Sequence, residues 1–102
     1  MKTYSEFLNR LGARESGGNY QAVNKYGYLG KYQMGELALV DTGYYTSDGT
    51  KNNDWSGTWT GKDGINSKDD FLNSEQAQEN AIRLYIDRQW SYITYYQLDV
   101  YI

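Results

Sequence analysis

Aliphatic side chains are scarce in this chain and aromatic rings are plentiful, and that imbalance limits what its core can be made of. Twelve tyrosines and three tryptophans stand against two phenylalanines in 102 residues. Each large ring buries much area, but it brings a hydroxyl or an indole N–H that needs a partner once water is gone. Two readings stay open. The tyrosines replace missing Leu, Ile and Phe inside the protein, or their faces and polar edges meet a carbohydrate or protein partner outside it. The length fits one domain, residues 1–102, with little core to spare.

The composition also removes whole classes of chemistry. There is no cysteine and no histidine. Disulfides, thiolate nucleophiles, Ser-His machinery and the usual zinc sites are therefore excluded, and no cofactor or metal is expected. What remains is carboxylates, amides, hydroxyls and amines. Ten basic and thirteen acidic residues give a formal net charge of -3, which argues against nucleic acid as the main partner, because such affinity rests on neutralising phosphates. No stretch approaches the ~20 apolar residues of a membrane span. The N-terminus, Met1 to Glu6, is amphipathic and has no apolar signal-peptide core.

Helical signals dominate both ends. Thr3 with Glu6 forms a capping box, and Tyr4, Phe7, Leu8 and Leu11 repeat at helical spacing until Gly17 and Gly18 stop the helix. Residues 19–33 read as turns, and residues 34–42 as a short helix ended by Gly43. Residues 44–66 mix Tyr44, Tyr45, Trp55 and Trp59 with Gly, Asn, Asp, Thr and Ser. They predict an irregular region with a short hairpin around residues 55–60. The tryptophans there either plug the core or form a wall of a sugar cleft. Ser67 with Asp70 repeats the capping-box pattern. From Asn73 or Ser74 to about Ile93, a broad face of Ala81, Ile82, Tyr85, Ile86, Trp90 and Ile93 predicts a long central helix with Arg83, Asp87 and Arg88 on its wetter side. The fold class expected is mainly α, with an irregular loop or short hairpin region between helices.

One ionisable group stands out. Four residues past Leu11 the apolar stripe of the first helix reaches Glu15. A carboxylate in that place is expected to be partly desolvated and to lie at the negative end of the helix dipole. Both effects keep a proton on it, as a general acid for glycosidic cleavage requires. The alternative is an ion pair with Arg10, Arg14 or Arg88. Asp41, Asp48, Asp54 and Asp63 read as turn or capping residues. Residues 48–54 lack the alternating oxygen ligands and closing Glu of a calcium loop.

The run that begins at Glu15 adds a second argument. It reads Glu15-Ser16-Gly17-Gly18-Asn19, then Ala22-Val23, then Gly27-Tyr28-Leu29-Gly30-Lys31-Tyr32-Gln33. This resembles the signature of the soluble lytic transglycosylases and goose-type lysozymes: a Glu-Ser pair ending a helix, an Asn, an Ala-Val pair and a Gly-x-Leu-Gly-x-x-Gln segment, in register without a gap. The resemblance implies a lysozyme-like fold and cleavage of the N-acetylmuramic acid to N-acetylglucosamine bond. Glu15 would be the acid. Ser16 would hydrogen-bond near the carboxylate and the saccharide, and Gln33 would line the cleft. The segment 27–30, with Tyr28 and Gly30, would bring backbone polar groups to the glycan, and Trp55 and Trp59 would join the cleft wall. Lys31 and Tyr32 depart from the family's apolar pair before the glutamine. Its Ala-Tyr-Asn-type motif in later helices is not found, so the chain resembles a short version lacking C-terminal helices.

The expected partner is peptidoglycan or a chitooligosaccharide, met at the cell wall in the periplasm or outside the cell by an export route the sequence does not show. Hydrolysis and transglycosylation both begin with protonation by Glu15 and are not separated. The rivals are a glycan-binding module without catalysis and a self-associating structural domain. The latter would pair through the apolar tail carrying Tyr95, Tyr96, Val100, Tyr101 and Ile102.

Overall fold

Helix α1 runs Tyr4–Ser16, and Thr3 caps its start as expected: the Thr3 hydroxyl accepts the Glu6 N–H at 3.1 Å. A computed structural model describes residues 3–47, 49 and 52–96 of the chain, the side chains of 91–96 excepted. After α1 come α2 (Glu36–Asp41), β1 (Tyr45–Thr46), β2 (Thr58–Trp59), a 3₁₀ turn (Lys62–Gly64), α3 (Lys68–Leu72) and α4 (Glu75–Tyr96). The described part is thus mainly helical with one small sheet. No helix in it is long and apolar enough to cross a membrane.

The burial of α1 differs from its sequence pattern. Leu8 and Gly12 are buried, whereas Tyr4 and Phe7 are exposed and stack on each other at the surface. The buried line therefore runs Leu8, Gly12, Ser16 in steps of four, the spacing that keeps side chains on one helix face. It does not run through Leu11 to Glu15. Glu15 is exposed, so the expected desolvation of this carboxylate is overturned for the free protein. The reason is Gly12. With no side chain there, the helix lies directly against the stem of Lys31, and a Cβ on Gly12 would stand 2.5 Å from Lys31 Cε.

The tyrosine question resolves by position. Tyr32, Tyr44 and Tyr45 are buried in one cluster with Leu8, Leu29, Leu39, Phe71, Ala81 and Ile82. Each buried hydroxyl has a protein partner, as the cost of an unmet polar group demands. Tyr44 donates to the Asp63 carboxylate, Tyr45 accepts the Gly57 N–H, and Tyr32 donates to Glu79. Burial, then the Asp63 carboxylate, pushes the Tyr44 hydroxyl well above its ordinary range. Tyr4, Tyr26 and Tyr28 remain at the surface.

Strand pairing corrects a second expectation. No hairpin closes within residues 55–60. Instead β2 pairs antiparallel with β1, Tyr45 opposite Trp59 and Thr46 opposite Thr58. Aromatic partners across a strand pair stabilise such a short ladder. The Tyr45 and Trp59 rings lie 5.1 Å apart, edge to face.

The Ser67 cap holds in its forward half: Ser67 Oγ accepts the Asp70 N–H at 3.0 Å and opens α3, while the Asp70 carboxylate accepts the Asn66 N–H at 3.0 Å. Along α4, Ala77, Gln78, Ala81 and Ile82 are buried, Tyr85 and Ile86 are half-buried, and Arg83, Asp87 and Arg88 face water as expected. Trp90, expected on the apolar face, is exposed. The contacts of Ile93, Tyr95 and Tyr96 and everything from residue 97 onward lie outside the described residues, and with them the tail at Val100, Tyr101 and Ile102.

Candidate functional site

The segment 15–33 folds as one tied unit. Gly17 ends α1 in the left-handed conformation (φ 70°), with its N–H on the Ala13 carbonyl and that of Gly18 on Gly12, a pairing that satisfies the last helix carbonyls. Ser16 sits on the buried line. Its hydroxyl donates to the Lys31 carbonyl at 2.7 Å and accepts the Asn19 N–H at 3.0 Å. One side chain thus joins the helix end that carries Glu15 to the far end of the loop that carries Gln33.

The loop itself is a pair of reversals. Leu29 exchanges two backbone hydrogen bonds with Met34, and the Gly30 N–H meets the Ala22 carbonyl at 2.7 Å. Gln33 takes a left-handed φ of 53°, rare for a residue with a side chain. Its amide turns back to donate to the Gly30 carbonyl at 2.9 Å and the Ala22 carbonyl at 3.3 Å. Gly30 (φ 80°) presses on Gln78 of α4 so closely that a Cβ would collide with the Gln78 amide. Gln78 is fully used there: it accepts the Lys31 N–H and donates to the Tyr20 and Phe71 carbonyls.

Beneath the loop lies a charged cluster that sequence reasoning missed. Lys31 Nζ is 3.2 Å from Glu79 Oε2, and Tyr20 and Tyr32 both donate hydroxyl bonds to the same carboxylate at 2.8–2.9 Å. Burial pushes Glu79 up, but the bonds from Tyr20, Tyr32 and Lys31 together outweigh it and hold its carboxyl below the ordinary range. Burial and the Glu79 bond push the Tyr32 hydroxyl up to about 12. Lys31, burial notwithstanding, is held protonated beyond its ordinary range by the hydroxyls of Tyr32 and Tyr20 and by Glu79. The departure of Lys31-Tyr32 from an apolar pair is thus matched by a carboxylate on α4. The available signal was that a lysine and a tyrosine next to a packed turn need an acidic partner.

Beside the loop, between α2 and α4, opens a cleft of about 280 Å³. Tyr28 and Gln33 line it, as do Tyr32, Asn53, Ile82 and Tyr85. Glu15, Ser16 and Gly30 do not: Glu15 is exposed at the helix end, Ser16 is half-buried behind it, and Gly30 is buried. Trp55 and Trp59 are half-buried and stacked at 5.4 Å, with both rings edge-on to Tyr45. The Trp55 indole N–H is taken by the Gly27 carbonyl at 2.8 Å. Both tryptophans therefore pack on the core, and Trp55 also braces the loop. Asn53 was also missed. Its Oδ1 accepts the Glu36 N–H at 2.8 Å and its Nδ2 donates to the Tyr26 carbonyl at 3.2 Å, which fixes the cleft's outer rim.

Among the described residues no group of three or more acidic side chains is arranged to hold a metal ion. No family model matches the chain, and no curated protein or solved structure does either.

Proposed function

We propose that this domain binds bacterial cell-wall glycan and cleaves its glycosidic bond, with Glu15 as the proton donor. The observation that supports the reading is the 2.7 Å bond from Ser16 to the Lys31 carbonyl, which ties the helix end that carries Glu15 to the loop that carries Gln33. The exposed helix end presents Glu15 to a ligand from solution. A sugar chain laid over it would take the carboxylate out of water, the condition under which a glutamate retains a proton to give. Protonation of the bridging oxygen is then the shared first step of hydrolysis and of transglycosylation. Such an activity belongs at the cell wall.

A second reading, a glycan-binding module that does not cleave, is favoured by that same exposure, since nothing in the free protein shields Glu15 from water. Two measurements separate the readings. Purified peptidoglycan is digested and its fragments weighed by mass spectrometry: 1,6-anhydro ends indicate transglycosylation, reducing ends indicate hydrolysis, and intact glycan that still sediments with the protein indicates binding alone. Glu15→Gln keeps the size and hydrogen bonding of the side chain but not its transferable proton. It is expected to abolish fragment release while leaving the thermal midpoint and glycan binding unchanged. Release at the wild-type rate from this variant would end the catalytic assignment.

A further inference from the structure

On the other side of Tyr28 and Asn53 from the cleft lies a second, more open depression of about 600 Å³. The two hollows have Tyr28 and Asn53 in common, so they adjoin across these two residues. We propose that this outer depression is a saccharide subsite for an N-acetylhexosamine chain that crosses them into the inner cleft. The inference rests on the glycan reading above and extends it to Asn24, Lys25, Tyr26, Asn52 and Asp54, which that reading does not use.

The chemistry of the lining carries the assignment. Tyr26 is 65% exposed and Tyr28 39%, two rings open to water beside a hollow, with the Lys25 ammonium over one face of the Tyr26 ring at 5.1 Å. Around them stand the amides of Asn24 and Asn52, with the Lys25 ammonium and the Asp54 carboxylate. Flat apolar faces set among short polar side chains match a pyranose, which has an apolar face of C–H groups and a rim of hydroxyls and amides. A protein partner would call for a wider apolar patch. A nucleic acid would call for clustered cations, and among the described residues of the lining Lys25 is the single cation.

The depression is also held in shape before any ligand arrives, which lowers the cost of binding. Its two walls, residues 24–28 and 52–54, are clamped by the Asn53 amide on the Tyr26 carbonyl and by the Trp55 indole on the Gly27 carbonyl. Asn24 Oδ1 accepts the N–H groups of both Tyr26 and Tyr28, fixing the turn that presents the rings. Gly27, at φ 83°, approaches the Asn53 carbonyl so closely that a Cβ would collide with it. Trp55 holds a left-handed φ of 58° directly after this wall, as Gln33 does at the inner cleft. Sparsely populated backbone at both hollows is the kind of strain that accumulates where a ligand is gripped.

Chitotetraose titrated into the ¹⁵N-labelled chain tests the proposal by amide and indole shifts. The expected result is movement of the backbone amides of residues 24–28 and 52–54 and of the Trp55 indole N–H, together with signals of the inner cleft. Tyr26→Ala, at an exposed position, is expected to weaken the dissociation constant about tenfold, the loss of roughly one ring contact, with an unchanged thermal midpoint. Asn52→Ala serves as a second exposed variant and is expected to weaken it several-fold. Shifts confined to Tyr32, Gln33 and Tyr85, with both variants binding as the wild type does, would overturn the outer subsite and leave the glycan reading standing. No shift anywhere at saturating sugar would overturn both.

Discussion

At the residue scale, the position that organises the helix end is Gly12, one of the least conspicuous in the chain. Its missing side chain lets α1 settle on Lys31, which turns Ser16 inward to the Lys31 carbonyl and leaves Glu15 outward. Gly12→Ala has two opposed effects. Alanine gains about 1 kcal/mol of helix propensity over glycine. Its methyl would stand 2.5 Å from Lys31 Cε and 2.7 Å from Cγ, and overpacking of this kind costs about 1–3 kcal/mol. A lysine stem can usually swing away, but this one is pinned at its tip by Glu79 and Asn9. Net destabilisation by up to about 2 kcal/mol is expected in urea unfolding, accompanied by weaker protection of the Asn19 amide that Ser16 holds. A variant more stable than the wild type would show that the Lys31 stem yields freely.

At the element scale, the segment 17–34 packs against α1 and α4, and its glycines can be sorted by what surrounds them. Gly18 and Gly30 have nearly equal left-handed φ angles, 83° and 80°. A Cβ on Gly18 meets nothing within 4 Å, whereas one on Gly30 collides with Gln78. Gly18→Ala should therefore cost only the backbone penalty, about 1–2 kcal/mol. Gly30→Ala should add a packing penalty of about 1–3 kcal/mol and should also displace the Lys31 N–H from Gln78. Equal unfolding midpoints for the two variants would contradict the proposed loop-to-helix contact. The same contrast explains what was legible beforehand. Both N-caps, Thr3 on Glu6 and Ser67 on Asp70, could be read because each bond spans three residues. The turns at Gly17 and Gly30 could be read because glycine marks them. The β1–β2 pair could not, since each strand has two residues and Tyr45 meets Trp59 across an irregular loop. Trp90 and Glu15 were misplaced for a shared reason: helical spacing gives a stripe, and only packing decides which edge of the stripe is covered. For the candidate site, the run 15–33 was visible as a pattern, while Asn53, Tyr85 and Glu79, which complete it in space, come from distant stretches with no local signature.

At the scale of the whole molecule, Glu79 connects three parts that are far apart in sequence: the turn after α1 through Tyr20, the loop through Lys31 and Tyr32, and its own helix α4. The stability of the assembly should therefore follow the charge of this one carboxylate. Its folded-state pKa lies below the ordinary value, so the folded chain keeps it ionised where the unfolded chain already takes up a proton. The stabilisation is accordingly present above the ordinary carboxylate range and is lost as pH falls through the folded value. On the alkaline side the sign reverses. Tyr32, raised from 10.0 to about 12, contributes stability that is complete below its ordinary value and lost as pH rises toward 12. Glu79→Gln removes the carboxylate and leaves the Lys31 ammonium, whose side chain is only 10% exposed, without its counter-charge. Stranding a buried charge costs about 3–5 kcal/mol, and the 23% exposure of the Glu79 side chain reduces this to about 2–3 kcal/mol at neutral pH. The variant should also lose part of the acid-side slope, so that its stability and that of the wild type converge as pH falls. Replacing Lys31 by Met in the same background removes the stranded ammonium and should recover part of the loss, because the stem that packs under Gly12 is retained. Thermal or urea unfolding from acid to neutral pH reads all three chains. Parallel curves for wild type and Glu79→Gln would mean that the acid dependence resides in other carboxylates, and that this cluster ties the fold together without sensing pH.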